Sequence, residues 1–356
     1  MDLFASAWMT RSLGESVSAL HLEQEVGIFA GGWNGCLKHW DAEGELMWTA
    51  ILPDRITVLA LHGGNVFATA GLHVVCLEAA TGEQRWSYAL EGSADSLSVF
   101  DNHLYAVSSV YDIEHNDFLE SAVWNFSFDG TMNWIQRMDE RPWTILEYNS
   151  KLWIGLGRPK CGFSAIDTKG ELTHTSTDTD SPITCGSSTP SSMLFGHANG
   201  AVSDEKGKIL FLEQSSIETL YAISKGYIAT LEDGTLLYRK ADTEVWAESG
   251  TPVTAQTGGF LYQGQPTHWS GRWSGTQGTI EVRNLNTGEL LTSSQSGRCE
   301  SSASDSTRIA LGFETGEVCL WEQDMFERRM SKGSQMEKKD ERKSALQEKL
   351  RALRDR

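Results

Sequence analysis

The 356 residues hold no pair of adjacent cysteines, no CxxC, no HxH and no HExxH. Zinc sites in structural and catalytic domains depend on such spacings, so nothing in the sequence marks a metal centre. Basic residues are few, 30 against 48 acidic, and the deficit is uneven. Residues 1–322 carry 41 acidic and 19 basic groups, while residues 323–356 carry 7 and 11. An acidic body repels phosphates and anionic lipid surfaces, which argues against nucleic acid as its partner and leaves nucleic acid open only for the basic tail. No apolar run approaches the ~20 residues of a membrane span, and MDLFASAWMTRSLGE lacks the basic and apolar regions of a secretory signal. The six scattered cysteines, three of them (Cys36, Cys76 and Cys319) within apolar strand patterns, point to a reducing compartment and a cytoplasmic protein. Proline is also scarce, at 7, whereas glycine reaches 34 and tryptophan 13.

The glycines and tryptophans are periodic. A two-residue turn ending in Gly recurs at Gly44, Gly82, Gly130, Gly170, Gly207 and Gly288. Trp48, Trp86 and Trp134 each follow such a glycine by four residues, with Phe211 in that place after Gly207. A second turn closes an apolar strand in IFAGGWNG (28–35), MLFGHANG (193–200), YIATLEDG (227–234) and IALGFETG (309–316), each with Gly or Thr in mid-strand. Turns of this kind need φ > 0, which puts Gly35, Gly200 and Gly234 in the left-handed region. A chain of this length exceeds one ordinary core. Four short strands repeated about every 40 residues are the mark of a β-propeller.

Units begin near Val17, Ile56, Leu97, Trp143, Ile183, Ile217, Val253 and Cys299, which makes about eight blades, or seven if the short units 183–211 and 217–246 are irregular. The last unit, 299–322, has only three strands. Residues 3–11 (LFASAWMTR), with Trp8, resemble the outer strands around Trp48 and Trp86, and are expected to supply the fourth. The fold class is therefore an all-β propeller over 1–322, closed by the N-terminal strand. A charged, helical tail follows over 323–356, with Leu346, Leu350 and Leu353 in a stripe, and the propeller is expected to fold without residues 325–356.

CLEAATGEQRW (76–86) resembles the AxDxxTGxxxW repeat of the pyrroloquinoline-quinone-type propellers, with Cys76 and Glu78 in place of Ala and Asp. KHWDAEGELMW (38–48) and SAIDTKGELTH (164–174) are weaker copies, and GEVCLWE (316–322) is similar to a WD-repeat strand. The resemblance implies the fold, on which many unrelated functions are carried. In the quinoprotein dehydrogenases of this fold the cofactor lies against a disulfide of adjacent cysteines, which this sequence lacks. The related outer-membrane assembly lipoproteins carry a lipobox, also missing. No cofactor is expected.

Two features stand out as interaction sites. The stretch GQPTHWSGRWSGTQG (264–278) reads as a long loop between the second and third strands of the seventh blade, bearing His268, Trp269, Arg272 and Trp273. Aromatics beside Arg in a Gly/Ser-rich loop are the composition of binding hot spots. Stretches at 110–121 and 157–161, the latter with Arg158 and Lys160, fall at the equivalent place in other blades and share that face. The cluster Asp112, Glu114, His115, Asn116 and Asp117 reads as a solvated acidic loop without the ligand order of a calcium loop. The sequence thus describes a non-catalytic scaffold for a protein or peptide partner. The alternatives are a lyase- or hydrolase-type enzyme using the channel mouth, and a nucleic-acid-linked factor recruited by the tail.

Overall fold

The computed structural model describes residues 2–331 apart from 115, 116, 225, 241 and 242. They form eight four-stranded antiparallel sheets, seven of them sequential and the eighth joining both ends of the chain, so that the short units around 183–212 and 217–248 are complete blades and the count is eight. The innermost strands are Val17–Glu23, Ile56–His62, Ser93–Phe100, Pro142–Tyr148, Ile183–Thr189, Ile217–Ile223, Val253–Tyr262 and Cys299–Ser304. Six of the expected starts hold; the third moves from Leu97 to Ser93 and the fourth from Trp143 to Pro142. Inner strands of successive blades lie side by side around the ring, and the eighth lies against the first.

Glycines notch the blades together. A Cβ at Gly31 would sit 2.5 Å from Ile56 Cγ2, and one at Gly312 2.4 Å from Val17 Cγ1, so the first apolar residue of each following blade fills the space a side chain would take. The mid-strand glycine is thus a packing requirement of the ring. The outer strands dock by a different device. The Trp48, Trp86, Trp134 and Trp246 indoles donate to the carbonyls of Ala79, Phe128, Thr168 and Leu285 in the following blade, at 2.8–3.0 Å. Their rings lie on Gly82, Gly130, Gly170 and Gly288, the turn glycines of that blade.

This double demand makes a sharp expectation. Gly130 has φ +90°, and a Cβ there would lie 2.7 Å from Trp86 Cγ. Gly130→Ala is expected to destabilise by about 1–3 kcal/mol, from backbone strain and displacement of the indole. A denaturant midpoint indistinguishable from the parent's would contradict the docking role. Gly35, Gly200 and Gly234 have φ of +87°, +86° and +86°, as their turns require.

The ring closes through both ends of the chain. Met9–Ser12 pairs antiparallel with Glu317–Glu322, Met9 opposite Leu320 and Ser12 opposite Glu317. Trp8 donates its backbone N–H to the Leu320 carbonyl and packs, half-buried, beside that strand, while Phe4–Ser6 is a short 3-10 turn. After the last strand the chain is helical over 323–331, and Phe326 (0% exposed) and Met330 join the core of blades 7 and 8. The expectation that the propeller folds without residues 325–356 is corrected here, because one large core side chain comes from beyond residue 325. The leucine stripe lies outside the described residues.

Candidate binding face

Strand order fixes two faces. Turns between second and third strands, and the links from one blade to the next, share the upper face; turns between first and second and between third and fourth strands share the lower one. Every inner strand starts at the upper face with a register shift that skips a residue: Ser18, Asp95, Trp143, Thr184, Glu218, Thr254 and Glu300, and Thr57 with Val58 in blade 2. Such bulges re-aim side chains, and here they give equivalent positions around one mouth. Hydroxyls at three of them lock neighbours: Ser18 donates to the Ile56 carbonyl and Thr184 to the Ile217 carbonyl, each at 2.5 Å, and Thr57 to the Ala94 carbonyl at 3.4 Å. At Asp95, Trp143, Glu218 and Glu300 the position carries an acid or an indole instead.

The loop expected at 264–278 is a strand, and this is the main correction. Val253–Tyr262 is a long inner strand, and Gln265–Trp273 is the buried second strand of blade 7. The link that follows is only the tight turn from Ser274 to Gln277. Trp269 is fully buried against Phe260, Trp321 and Phe326, with ring centroids 5.0–5.8 Å apart. His268 is also buried, with Nε2 2.9 Å from the Gln256 side-chain oxygen. Burial, reinforced by Arg283 and Arg272, pushes its pKa down to about 3. Arg272 donates to the carbonyls of Gly234 and Thr251 at 2.8 and 2.7 Å and to Glu281 at 3.1 Å, tying blade 6 to blade 7. Trp273 is half-buried at the strand's end. The Gly and Ser content that suggests a loop serves close packing: a Cβ at Gly271 would meet Cys299 Cβ at 2.5 Å, and one at Gly259 would meet Trp269 Cδ1 at 2.6 Å. His268, Trp269 and Arg272 are therefore structural.

The exposed apolar surface of the upper face lies elsewhere. Trp33, Leu72, Tyr111, Ile113, Leu119 and Trp143 are all exposed, Ile113 by 86%, and all belong to blades 1–4. Among the described residues, blades 5–8 offer a single exposed large apolar residue at this face, Leu212, where the outer strand of blade 5 ends. Two of the six are held by arginines from inter-blade links. Arg55 lies 3.6 Å from the centroid of Trp33, and Arg141 is sandwiched 3.9 Å from Phe118 and 4.0 Å from Trp143. Burial draws both guanidinium pKa values below the ordinary arginine value, opposed by Glu300 at Arg55 and by Asp95 at Arg141. Asp95 anchors Arg141 Nη2 at 3.3 Å and is itself bonded by the Ser93 and Ser109 hydroxyls. Stacked and braced indoles are ordered before any ligand arrives, which removes part of the cost of binding.

Around Arg141 a cleft of about 440 Å³ opens between blades 3, 4 and 5, walled by Phe118, Trp143, Pro159 and Pro182 and edged by Asp117 and Asp139. Arg158 lies on it as well, and Lys160 is exposed in the same short loop. The loop turns back through Cys161 at φ +56°, and Gly157 donates its N–H to the Arg141 carbonyl at 2.8 Å. Of the acidic cluster, His115 and Asn116 lie outside the described residues, while Asp112 and Asp117 each accept a backbone N–H of their own hairpin. The longest second-to-third hairpin, His103–Asp112 with Asp117–Phe126, carries Tyr111, Phe118 and Leu119. Phe118 stacks edge-on with both Tyr111 and Trp143.

A second cleft, of about 470 Å³ on the lower face, brings His62, Asp101, Glu147 and Ser150 near one another. No hydrogen bond joins any two of these four side chains among the described residues, and His62 instead packs on the Phe128 ring. Asp101 and Ser150 are hairpin-tip residues at φ +46° and +55°, positions set by turn geometry.

Comparison with known proteins agrees with this architecture. Residues 34–173 match the family model described as outer membrane protein assembly factor BamB. No curated protein matches the chain in sequence. Among solved structures it is similar to Sqt1 of Saccharomyces cerevisiae (TM-score 0.72, 12% identity, 89% of this chain and 99% of that one). It is also similar to BamB of Moraxella catarrhalis (TM-score 0.67, 15% identity, 89% and 99%). The computationally designed Ika8 protein gives a TM-score of 0.65 at 18% identity, over 88% and 98% of the two chains. At these identities the likeness is one of fold: the chain is an eight-bladed β-propeller, similar over residues 34–173 to the matched family model.

Proposed function

We propose that the protein is a non-catalytic scaffold that binds a protein or peptide partner on the upper face of blades 1–4. The observation that carries this reading is the one-sided arc of exposed aromatic and aliphatic side chains, two of whose indoles stand on stacked arginines. Folding alone does not ask for it, since blades 5–8 close the same face with Leu212 alone of this kind and with no exposed aromatic ring. Contiguous exposed apolar surface on a soluble domain is characteristic of an interaction site. The likeness to a family described as an assembly factor fits the same reading. No helix among the described residues is long and apolar enough to cross a membrane. The six unpaired thiols accord with a protein of the cytoplasm.

The test pairs partner recovery with stability. Trp143→Ala combined with Trp33→Ala is expected to leave the melting temperature within a few degrees, because both rings are about half exposed. Recovery of partners from the native cell by the tagged protein is expected to collapse, as hot-spot truncations cost about 2 kcal/mol or more. Undiminished recovery by the folded variant would move the binding face elsewhere.

A further inference from the structure

The charge around the apolar arc names the chemistry of what it holds. The arginines within it are committed: Arg55 and Arg141 lie against rings, and Arg137 pairs with Glu91 at 2.6 Å and Glu120 at 3.8 Å. The carboxylates are not matched. No lysine or arginine pairs with Glu114, Asp117, Asp139 or Glu140 among the described residues, and these four border the hairpin and the cleft beneath Trp143. The mouth of the ring adds to the excess. Glu218 occupies the bulge position of blade 6, and its pKa is raised by burial and by the like charge of Glu232. A cation brought to this surface would relieve repulsion that the protein leaves standing. Among the described residues Arg158 and Lys160 pair with no carboxylate, and these two cations are too few to balance the excess.

Resting on the proposed upper-face site, we infer that its occupant is a basic segment of a partner protein, with an apolar side chain seated in the Phe118–Trp143 cleft and lysines or arginines over the acidic border. The cleft is of a size to bury one or two side chains, and the arc from Trp33 to Trp143 spans four blades, as an extended or helical segment requires. Nucleic acid is disfavoured by the same carboxylates. A second propeller body is disfavoured because residues 1–322 carry 22 more acidic than basic groups. The chain's own basic tail follows the third strand of blade 8, which runs from the upper to the lower face, so the helix over 323–331 begins on the opposite side. Complementary charge of this kind mainly speeds and orients association, while the apolar anchor holds the complex.

The experiment uses two fluorescent 20-residue synthetic peptides, one of lysine, leucine and serine and its counterpart with glutamate for lysine, titrated against the full-length protein at low and physiological salt. The basic peptide is expected to bind, and more weakly as salt rises. Trp143→Ala is expected to weaken it about tenfold or more. Asp117→Asn with Asp139→Asn is expected to weaken it severalfold and flatten the salt dependence. Leu290→Ala, an exposed change at the lower end of the outer strand of blade 7, is expected to leave binding unchanged. If the glutamate peptide binds equally well and still depends on Trp143, the site stands and its basic preference is overturned. If neither peptide responds to Trp143→Ala, the site itself is overturned. A chain ending at residue 331 that binds the basic peptide severalfold more tightly than the full chain would identify the tail as the occupant and overturn the assignment to a partner.

Discussion

A chain lacking residues 1–12 is expected to melt many degrees lower than the parent or to aggregate. The deletion removes the outer strand of blade 8 and leaves Glu317–Glu322 with an unpaired edge, the feature that propellers must hide. It also removes Leu3 (0% exposed) and Met9 (5%), whose side chains lie in two different core clusters. Emptying a buried Leu or Met site alone costs about 2–5 kcal/mol. The Trp321 indole, fully buried, loses the Leu3 carbonyl that it reaches at 3.0 Å, and an unpaired buried donor costs about 1–3 kcal/mol more. Together these losses are of the same size as the whole marginal stability on which most domains run. A truncated chain that melts cooperatively at the parent's temperature would show that closure does not depend on this strand.

The fold is legible in the sequence wherever geometry dictates residue type. A turn that needs φ > 0 selects Gly, and so Gly35, Gly200, Gly234 and the TG-type turns mark the period directly. What the pattern conceals is that the same glycines are contact surfaces. Gly82 must be Gly both for its φ of +73° and for the Trp48 ring lying 2.6 Å from where its Cβ would be. Trp therefore recurs four residues after Gly44, Gly82 and Gly130, yet its partner is the turn glycine of the next blade, a relation spanning 34 residues for Trp48 and Gly82. The third blade's start is missed by four residues because Ser93, Ala94 and Asp95 carry little strand character, and their place is set by pairing with Ser108 and Ser109.

The binding face is legible only as a face. Placing the inserted stretches on one side of the disc follows from strand order, and the structure puts Arg158 and the 110–121 hairpin there. The residues chosen in blade 7 fail for a physical reason. FLYQG (260–264) imitates a second strand and its turn, which shifts the frame by one strand and turns a buried strand into a loop. Small residues mean flexibility in a loop and tight packing in a buried strand, and composition alone does not separate the two. Trp33 and Trp143 carry no such local signature. Trp33 sits within a turn motif, and Trp143 occupies a bulge position filled by Ser or Thr in four other blades. Only comparison of all eight bulges makes an indole there conspicuous.

The second large effect is expected at the other end of the chain, and its sharpness lies in a contrast of two truncations. Ending the chain at residue 331 is expected to leave the melting temperature within a few degrees, because every described core contact is kept. Ending it at residue 322 is expected to lower stability severely. Phe326 fills a pocket among Phe260, Tyr262 and Trp269, with ring centroids 5.3–5.5 Å away, and it is 0% exposed. Its removal uncovers the Trp269 ring at the junction of blades 7 and 8. The helix also ties the ends together: Arg329 donates to the carbonyls of Ala5 and Ala7, and Glu327 accepts the Gln263 backbone N–H at 3.1 Å. Its first turn is secured by Glu322, whose carboxylate accepts the N–H of Met325 at 3.0 Å. Phe326→Ala isolates the apolar part and is expected to cost about 3–5 kcal/mol, the usual range for emptying a buried aromatic site. Thermal unfolding of the three variants, followed by near-ultraviolet circular dichroism of the tryptophans, reads the result. Should the chain ending at 322 and Phe326→Ala both unfold with the parent, the helix would be an appendage, and the core of blades 7 and 8 would have to be complete without it.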